Sequence, residues 1–247
     1  MTRLFGRDTR EDFRLLASHH DVDLLDAMLL LCESLDPRVD SEGCRDLIDE
    51  LADHIRPRVD GADDEASRVE QLVSGLRELG FRGNTEHYYD QRNTLLSEVL
   101  VRRTGIPISL SVLFMEVGSR LGIEIRGVGF PYHFLLKAVD VPGLFVDPFF
   151  LMTRNEESCA ALLEEVSGGM VEFRDEYLRT VEARHVFVRI LRNLKTLHKQ
   201  AGAMSSALEY CELILMFDPE QPPEYRDRGT ICLALGEWNR AVDDLST

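Results

Sequence analysis

Hydrophobic positions in the N-terminal part of the chain recur with the three- to four-residue spacing of amphipathic helices. In SEGCRDLIDELADHIRP, Leu47, Leu51 and Ile55 share one face, and Ser41 is the predicted N-cap. The stretches on either side show the same spacing and carry acidic residues in their first turns, where these interact favourably with the helix dipole. The pattern predicts a helical N-terminal region over residues 1–82.

From residue 83 the hydrophobic pattern changes to that of mixed helices and strands. Pro107 is predicted to occupy the first turn of a helix, because a first-turn residue needs no backbone N–H. The stretches IEIRGVGF, HFLLKAV and LFVDP contain β-branched residues and partial alternation, which predicts three strands. A further helix is predicted over NEESCAALLEEV. Together these elements predict an α+β segment over residues 83–183.

The helical pattern returns in the C-terminal part of the chain together with an internal repeat. Gly202 recurs as Gly236 and Ala207 as Ala241, with an offset of 34 residues in each pair. This period, with small residues where paired helices approach closely, is typical of the tetratricopeptide repeat. The alternative is two amphipathic helices that share the spacing by coincidence. We predict tetratricopeptide-like α-hairpins over residues 184–247, with the second repeat incomplete.

The charge of the chain argues against two classes of partner. Its 44 acidic residues against 28 basic ones give a formal net charge of −16, which repels phosphate backbones and anionic lipid surfaces. We therefore expect no nucleic-acid partner and no membrane association. The longest apolar stretch, AMLLLC, is far shorter than a membrane span. These features favour an acidic cytoplasmic protein.

Cysteine usage and short motifs bear on metals and cofactors. The five cysteines form no CxxC pair, and each lies in a helix-like apolar pattern. This usage argues against a disulfide framework or a zinc site and fits a reducing compartment. The chain contains no phosphate-binding loop and no dinucleotide fingerprint. The sequence predicts neither a metal nor a cofactor.

The candidate chemistry surrounds His133 and Asp147. These two residues fall on successive predicted strands, 14 residues apart across a turn, as expected for antiparallel neighbours. A cysteine acyl-transfer site combines such an imidazole and carboxylate with a thiol at a helix N-terminus, where the dipole lowers the thiol pKa. The helix that precedes these strands begins with Pro107 and contains no cysteine. The pattern therefore predicts a base and its orienting carboxylate without a thiol nucleophile.

Several separated motifs resemble the SirB-type transglutaminase-like family. They occur in one order over residues 85–240 and are YYDQRNTLLSEVLVRRTGIPISLSVLFMEVGSRLGI, GVGFPYHFLL, VDPF, RILRNLKTLH and PEYRDRG. The resemblance implies a papain- or transglutaminase-like α+β core, with a helix packed on a small antiparallel sheet, followed by C-terminal tetratricopeptide repeats. It also places His133 and Asp147 at the histidine and aspartate of the superfamily's Cys–His–Asp triad, and Pro107 at its cysteine.

The chain departs from the family pattern at two further places. Tyr132 stands where a glycine is expected before the histidine, and residues 150–157, FLMTRNEE, replace a glycine-rich turn after the aspartate. Tyr89, Asn93, Ser111 and Tyr132 are candidates for lining the cleft in front of the histidine. A plainer interpretation of the histidine is a core side chain that bonds a neighbouring strand.

We predict a non-catalytic protein-interaction or regulatory module with a degenerate triad. Its expected partner is a protein or peptide, bound through the repeat region or through the former catalytic cleft. The alternative is a hydrolase or acyltransferase on peptide or amide bonds, in which Ser109 or Ser111 attacks while His133 and Asp147 act as base and orienter. Serines at this spacing more often fill small gaps or bond the carbonyl four residues earlier. Using Cys159 as nucleophile requires a permuted order.

Overall fold

The structure is a computed structural model that describes residues 4–246. The first residues of the predicted N-terminal region, 1–3, and the last residue of the predicted repeats, 247, lie outside the described residues.

Contacts within the chain divide it into two compact units. One unit is Asp40–Glu182, and the other joins the residues up to Val39 with those from Ala183 onward. The sequence predicted three consecutive domains, over residues 1–82, 83–183 and 184–247. These domain boundaries stay predictions.

Over residues 4–246 the α-helices are α1 (Arg7–Ser18), α2 (Leu24–Leu35), α3 (Ser41–Asp60), α4 (Glu65–Glu78), α5 (Leu96–Arg102), α6 (Pro107–Arg120), α7 (Glu156–Ser167), α8 (Ala183–Gln200), α9 (Met204–Phe217), α10 (Pro222–Leu235) and α11 (Trp238–Leu245). The strands in the same part of the chain are β1 (Arg82–Gly83), β2 (Thr104–Gly105), β3 (Ile125–Val128), β4 (Leu135–Ala138), β5 (Phe145–Asp147) and β6 (Met152–Arg154). Two short 3-10 helices cover Gln91–Asn93 and Asp175–Leu178.

The caps of the N-terminal helices correct one residue of the prediction. Ser41 is the first residue of α3, and Asp40 is its N-cap, with a carboxylate that accepts a hydrogen bond from the Gly43 N–H at 3.0 Å. Asp23 and Asp64 cap α2 and α4 in the same way. The carboxylate satisfies one of the N–H groups that the first turn leaves without a helical partner.

The unit Asp40–Glu182 has the predicted α+β architecture. Strands β3, β4, β5 and β6 form an antiparallel sheet in that order, and β1 and β2 form a separate parallel pair. Helix α6 packs against β3 and β4. The predicted strands β3, β4 and β5 are confirmed, whereas β1 and β2, with two residues each, and β6, with a single apolar residue, were not predicted.

Burial explains why α6 shows no clear amphipathic pattern. Every residue from Pro107 to Phe114 is buried, and a helix surrounded on all sides is apolar on all sides. A second buried cluster joins the sheet to α7 and the segment after it. Its members are Val128, Phe130, Leu135, Phe145, Cys159, Leu162, Leu163 and Leu178.

The other unit contains the predicted helical hairpins. Helices α8 and α9 pack together, as do α10 and α11. Gly202 and Gly236 both have positive φ, at 73° and 78°, in the connections within these two hairpins. Ala207 and Ala241 are fully buried, as close helix approach requires. The recurrence at 34 residues therefore reflects two structurally matching hairpins.

Candidate functional site

His133 lies in a tight turn immediately before β4. Its N–H donates to the carbonyl of Phe130 at 3.3 Å, and Pro131 and Tyr132 are the central residues of the turn. Tyr132 has φ 58°. Proline at the second position and a positive φ at the third are features of a type II turn, in which the third residue is usually glycine. The turn directs the His133 side chain towards the end of β5.

Asp147 ends β5 and accepts hydrogen bonds from three further groups besides His133. Its Oδ1 lies 3.0 Å from His133 Nε2 and accepts the N–H groups of Phe149 and Phe150 at 3.1 and 3.3 Å. Its Oδ2 accepts Arg154 Nε at 2.8 Å. The carboxylate accepts at both oxygens, so Nε2 is the donor in the bond with His133.

The electrostatic surroundings keep Asp147 ionised. Burial by itself raises the pKa of Asp147, but the hydrogen bond and charge of His133 and those of Arg154 lower it below its usual value of 3.8. The side chain is fully buried, so it is an ionised carboxylate without contact with bulk water. A buried carboxylate stays ionised only when several hydrogen-bond donors and positive charges surround it.

Two phenylalanine rings enclose the His133 ring. Phe149 lies edge-on, with centroids 6.1 Å apart and an interplanar angle of 89°, and Phe150 lies nearly parallel at the same distance, with an angle of 26°. His133 is 6% exposed. The imidazole therefore has little direct access to solvent.

The N-terminus of α6 is closed by backbone and serine hydrogen bonds. Ser109 Oγ donates to the carbonyl of Asn93 at 2.5 Å and accepts the Ile106 N–H at 3.1 Å. A Cβ atom at Gly105 would lie 2.8 Å from the same oxygen, so glycine permits this close packing. The Ser109 hydroxyl proton is thus directed to a backbone carbonyl, and this bond joins the start of α6 to the 3-10 helix before α5.

The other two candidate nucleophiles, Ser111 and Cys159, are both fully buried. Ser111 Oγ donates to the carbonyl of Pro107 at 2.7 Å, the bond four residues back that is common for serine in a helix. Cys159 is fully buried in the core cluster, and burial raises the pKa of its thiol to about 12. A thiol with that pKa is protonated at neutral pH and unreactive.

The predicted cleft residues divide between surface and core. Tyr89 and Tyr132 are 71% and 62% exposed, whereas Asn93 and Ser111 are fully buried. Asn93 Nδ2 donates to the carbonyls of His87 and Tyr88 at 2.7 and 3.2 Å, so its side chain holds the tyrosine loop. Their roles in a cleft, like the triad roles of His133, Asp147, Ser109 and Pro107, stay predictions.

Sequence reasoning missed Arg154 and the two phenylalanines beside His133. Arg154 ends β6, which pairs Phe145 with Arg154 in the sheet and so brings the guanidinium to Asp147. The Phe149-Phe150 pair, two and three residues after the aspartate, was a visible signal, since adjacent aromatic residues in a turn are uncommon in a purely solvated loop.

The structure gives no indication of a metal ion or a membrane span in the part it describes. Over residues 4–246 we find no group of three or more His, Cys, Asp or Glu side chains arranged to hold a metal ion. None of the helices in that range combines the length and apolarity needed to cross a bilayer.

Two family models match consecutive parts of the chain. One, described as the transglutaminase-like superfamily, matches residues 42–192, and one for the tetratricopeptide repeat matches residues 194–247. The order of the two matches is the order of the sequence motifs.

Similar proteins share most of the chain. A UPF0162 protein of Xylella fastidiosa (strain 9a5c) is 33% identical over 229 residues, which are 90% of this chain and 82% of that protein. Protein SirB1 of Salmonella typhimurium is 26% identical over 230 residues, 92% of this chain and 86% of that protein. F-box only protein 21 of Homo sapiens is 47% identical over 173 residues, 65% of this chain and 27% of that protein. No solved structure matches the chain.

The superfamily match covers more than half of the chain, and the relatives include SirB1 itself. The fold agrees, with a helix on a small antiparallel sheet and helical hairpins in the C-terminal part. The chain belongs to the SirB-type transglutaminase-like family.

Proposed function

We propose that this protein is a non-catalytic protein-interaction or regulatory module in which the former triad has a structural role. One observation carries the proposal: α6 begins with Pro107, and the first hydroxyl in the helix, that of Ser109, donates its proton to the carbonyl of Asn93 at 2.5 Å. A serine nucleophile must give its proton to the base as it attacks. Ser109 instead uses that proton to hold two segments of the core together.

The His133–Asp147 pair supports the same proposal. Asp147 accepts donors from the β4 turn, from the turn after β5 and from β6, so its carboxylate ties three segments of the sheet edge together. The neighbouring rings of Phe149 and Phe150 reduce the access of water or substrate to the imidazole. A buried, fully bonded carboxylate of this kind stabilises one local conformation.

The repeat region supports a role in protein interaction. Tetratricopeptide hairpins form surfaces that dock peptide segments, and the repeat model matches residues 194–247. The net charge of −16 favours basic partner segments over nucleic acid or anionic membranes. All five cysteines lie within residues 4–246, where they are buried and form no disulfide, which is compatible with the cytoplasmic location that we propose.

The rival function is a hydrolase or acyltransferase with a serine nucleophile. It is favoured by the retained bond between His133 Nε2 and Asp147, 3.0 Å long, because this is the arrangement that orients a catalytic base. It requires Ser109 or Ser111 to break its carbonyl bond and reach the imidazole.

An activity assay separates the two functions. The purified protein is incubated with a glutamine-containing peptide and a primary amine, and ammonia release is measured, while a second sample is treated with a fluorophosphonate probe. We expect the same background for the wild type and for His133→Ala in both measurements. Ammonia release or probe labelling that is present in the wild type, absent in His133→Ala, and absent in Ser109→Ala or in Ser111→Ala would overturn the proposal. Circular dichroism of the three variants verifies that they remain folded.

A further inference from the structure

Four aromatic side chains from two loops form a continuous row of rings beside His133. Tyr88 and Tyr89 belong to the loop between β1 and the first 3-10 helix, and Phe149 and Phe150 belong to the turn between β5 and β6. Ring centroids are 5.3 Å apart for the two tyrosines, 6.1 Å for Tyr88 and Phe149, and 5.2 Å for the two phenylalanines. We call these four residues the aromatic patch.

Much of the aromatic patch faces solvent. Tyr89 is 71% exposed, Phe150 is 51% exposed and Tyr88 is 41% exposed. Single exposed apolar side chains are ordinary, but a contiguous exposed group marks an interaction site. Tyrosine and phenylalanine are also among the residues enriched in the cores of protein interfaces.

Hydrogen bonds fix the two loops that carry the patch. Asn93 is fully buried, and its amide holds the Tyr88 carbonyl at 3.2 Å. Asp147 accepts the N–H groups of Phe149 and Phe150, and the Phe149 carbonyl accepts the Gly83 N–H at 3.2 Å. Rings on loops that are already ordered lose little conformational entropy on binding, which makes a preformed surface an efficient binding site.

The chemistry at the patch points to a cationic ligand group. The Arg154 guanidinium carbon lies 5.8 Å from the centroid of Phe150, so one ring of the patch already interacts with a guanidinium. Glu86 lies two residues before Tyr88, and its side chain is exposed. The net charge of −16 adds a general attraction for basic segments.

We propose that the aromatic patch binds an extended, arginine-bearing segment of a partner protein. Guanidinium groups stack on the exposed rings of Tyr89 and Phe150, and Glu86 supplies the opposing charge. The segment is extended because the patch is an open row of rings and not a closed pocket. Arginine fits better than lysine because its planar guanidinium stacks on aromatic faces. This inference rests on the proposed function, since it names the surface and partner chemistry of the interaction module.

The binding test uses the full chain and labelled peptides. A fluorescein-labelled Gly/Ser peptide with regularly spaced arginines is titrated with protein, and its fluorescence anisotropy is followed. The matched peptide has citrulline, the uncharged isostere, at each arginine. We expect the wild type to bind the citrulline peptide at least about tenfold more weakly, which corresponds to about 1.4 kcal/mol.

Variants of the patch separate specific binding from general attraction to an acidic surface. The double variant Tyr89→Ala/Phe150→Ala leaves the net charge unchanged, and we expect at least about a tenfold loss of affinity for the arginine peptide. Tyr89→Leu/Phe150→Leu keeps apolar side chains at both positions and is expected to show a similar loss. Trp238→Ala is the control, because Trp238 is 65% exposed and belongs to the other unit.

Three outcomes would overturn the inference: equal binding of the citrulline peptide, unchanged affinity of both double variants, or an equal loss in Trp238→Ala. Binding of the wild type to neutral phosphatidylcholine vesicles but not to the peptide would also overturn it and assign the patch to a lipid surface. The result that would overturn this inference differs from the result that would overturn the proposed function. Histidine-dependent ammonia release overturns the proposed function while the patch binding stands, and unchanged affinity of the patch variants does the reverse.

Discussion

The ring of Phe149 lies so close to Gly83 that a Cβ atom on Gly83 would be 2.5 Å from two of its carbons. The substitution Gly83→Ala therefore forces the ring away from its place between Tyr88 and His133. We expect a loss of about 1–3 kcal/mol in the free energy of unfolding, typical of an overpacked site, together with weaker binding of the arginine peptide. Urea unfolding and the anisotropy titration measure the two effects.

A double-mutant cycle provides the control for Gly83→Ala. Phe149→Leu removes the ring that the new methyl group meets, so Gly83→Ala should cost less in the Phe149→Leu background than in the wild type. The same cost in both backgrounds would show that the methyl group acts elsewhere than on the ring.

Backbone strain at Tyr132 predicts an unusual effect of glycine. Tyr132 has φ 58° and a side chain that is 62% exposed, so its backbone is in the region that favours glycine while its ring is largely solvated. We expect Tyr132→Gly to be more stable than Tyr132→Ala by about 1 kcal/mol. Both variants lack the ring, so the difference in their urea midpoints isolates the backbone. Equal stability, or a more stable alanine variant, would contradict the assignment of strain.

Both departures from the family pattern coincide with positive φ angles. The sequence already indicated that Tyr132 replaces a glycine, and the structure places it at φ 58°. In the segment that replaces the glycine-rich turn, Leu151 has φ 49°. The chain therefore keeps the backbone of a glycine turn without the glycines, a conclusion that required both the family resemblance and the dihedral angles.

Most helices and the longer strands were predictable, because their hydrophobic patterns extend over many residues. The residues of the candidate site were only partly predictable. The periodicity of α3 and the alternation in β3 were readable from single stretches, whereas β1 has only two residues and β6 has only one apolar residue. Hydrogen bonds that cross the fold leave no local trace. Ser109 bonds a carbonyl 16 residues away, and only the folded structure shows that this bond occupies its hydroxyl proton.

A buried ion-pair network stabilises the repeat unit. Lys195 is 5% exposed, and its Nζ donates to Glu224 and Asp227, each at 2.6 Å. We expect Lys195→Met to lower the free energy of unfolding by about 2–3 kcal/mol, because the buried Glu224 Oε2 loses its donor and Glu224 keeps only the bond from Arg192 at 2.7 Å. Lys199→Met is the matched control, since Lys199 bonds Asp227 from a more exposed position, and a loss of about 1 kcal/mol or less is expected. Similar losses in both variants would contradict the network's dependence on burial.

The same lysine predicts the response of the repeat unit to alkaline pH. Burial lowers the pKa of Lys195, but its hydrogen bonds to Asp227 and Glu224 raise it above the usual 10.5. A group with a raised folded pKa contributes its stabilisation below the unfolded value and loses it as the pH rises through the folded value. The stability difference between wild type and Lys195→Met should therefore be constant up to about pH 10 and shrink above it. Urea unfolding at increasing pH provides the measurement, and a constant difference would contradict the prediction.

The contribution of Asp147 to the free energy of unfolding is expected to be lost at acid pH. Its pKa is lowered below 3.8 despite burial, because His133 and Arg154 favour the ionised form. The stabilisation is therefore present above pH 3.8 and lost as the pH falls through the lower folded value. We expect Asp147→Asn to be less stable than wild type by about 3–5 kcal/mol at neutral pH, with a difference that narrows below about pH 4. A difference that persists unchanged in acid would mean that Asp147 stabilises by packing and not by charge.

The buried thiols give the last prediction, which bears on Cys159 as an alternative nucleophile. Burial raises the pKa values of Cys159 and Cys211 to about 12, and all five cysteines are buried. Iodoacetamide reacts with thiolate, so the native protein at pH 8 should show no rapid adduct by intact-mass spectrometry, whereas the protein unfolded in guanidinium chloride should take up five. A single rapid adduct on Cys159 in the native protein, abolished by His133→Ala, would instead identify an activated thiol. His185→Ala is a matched control, because it removes an imidazole from the other unit.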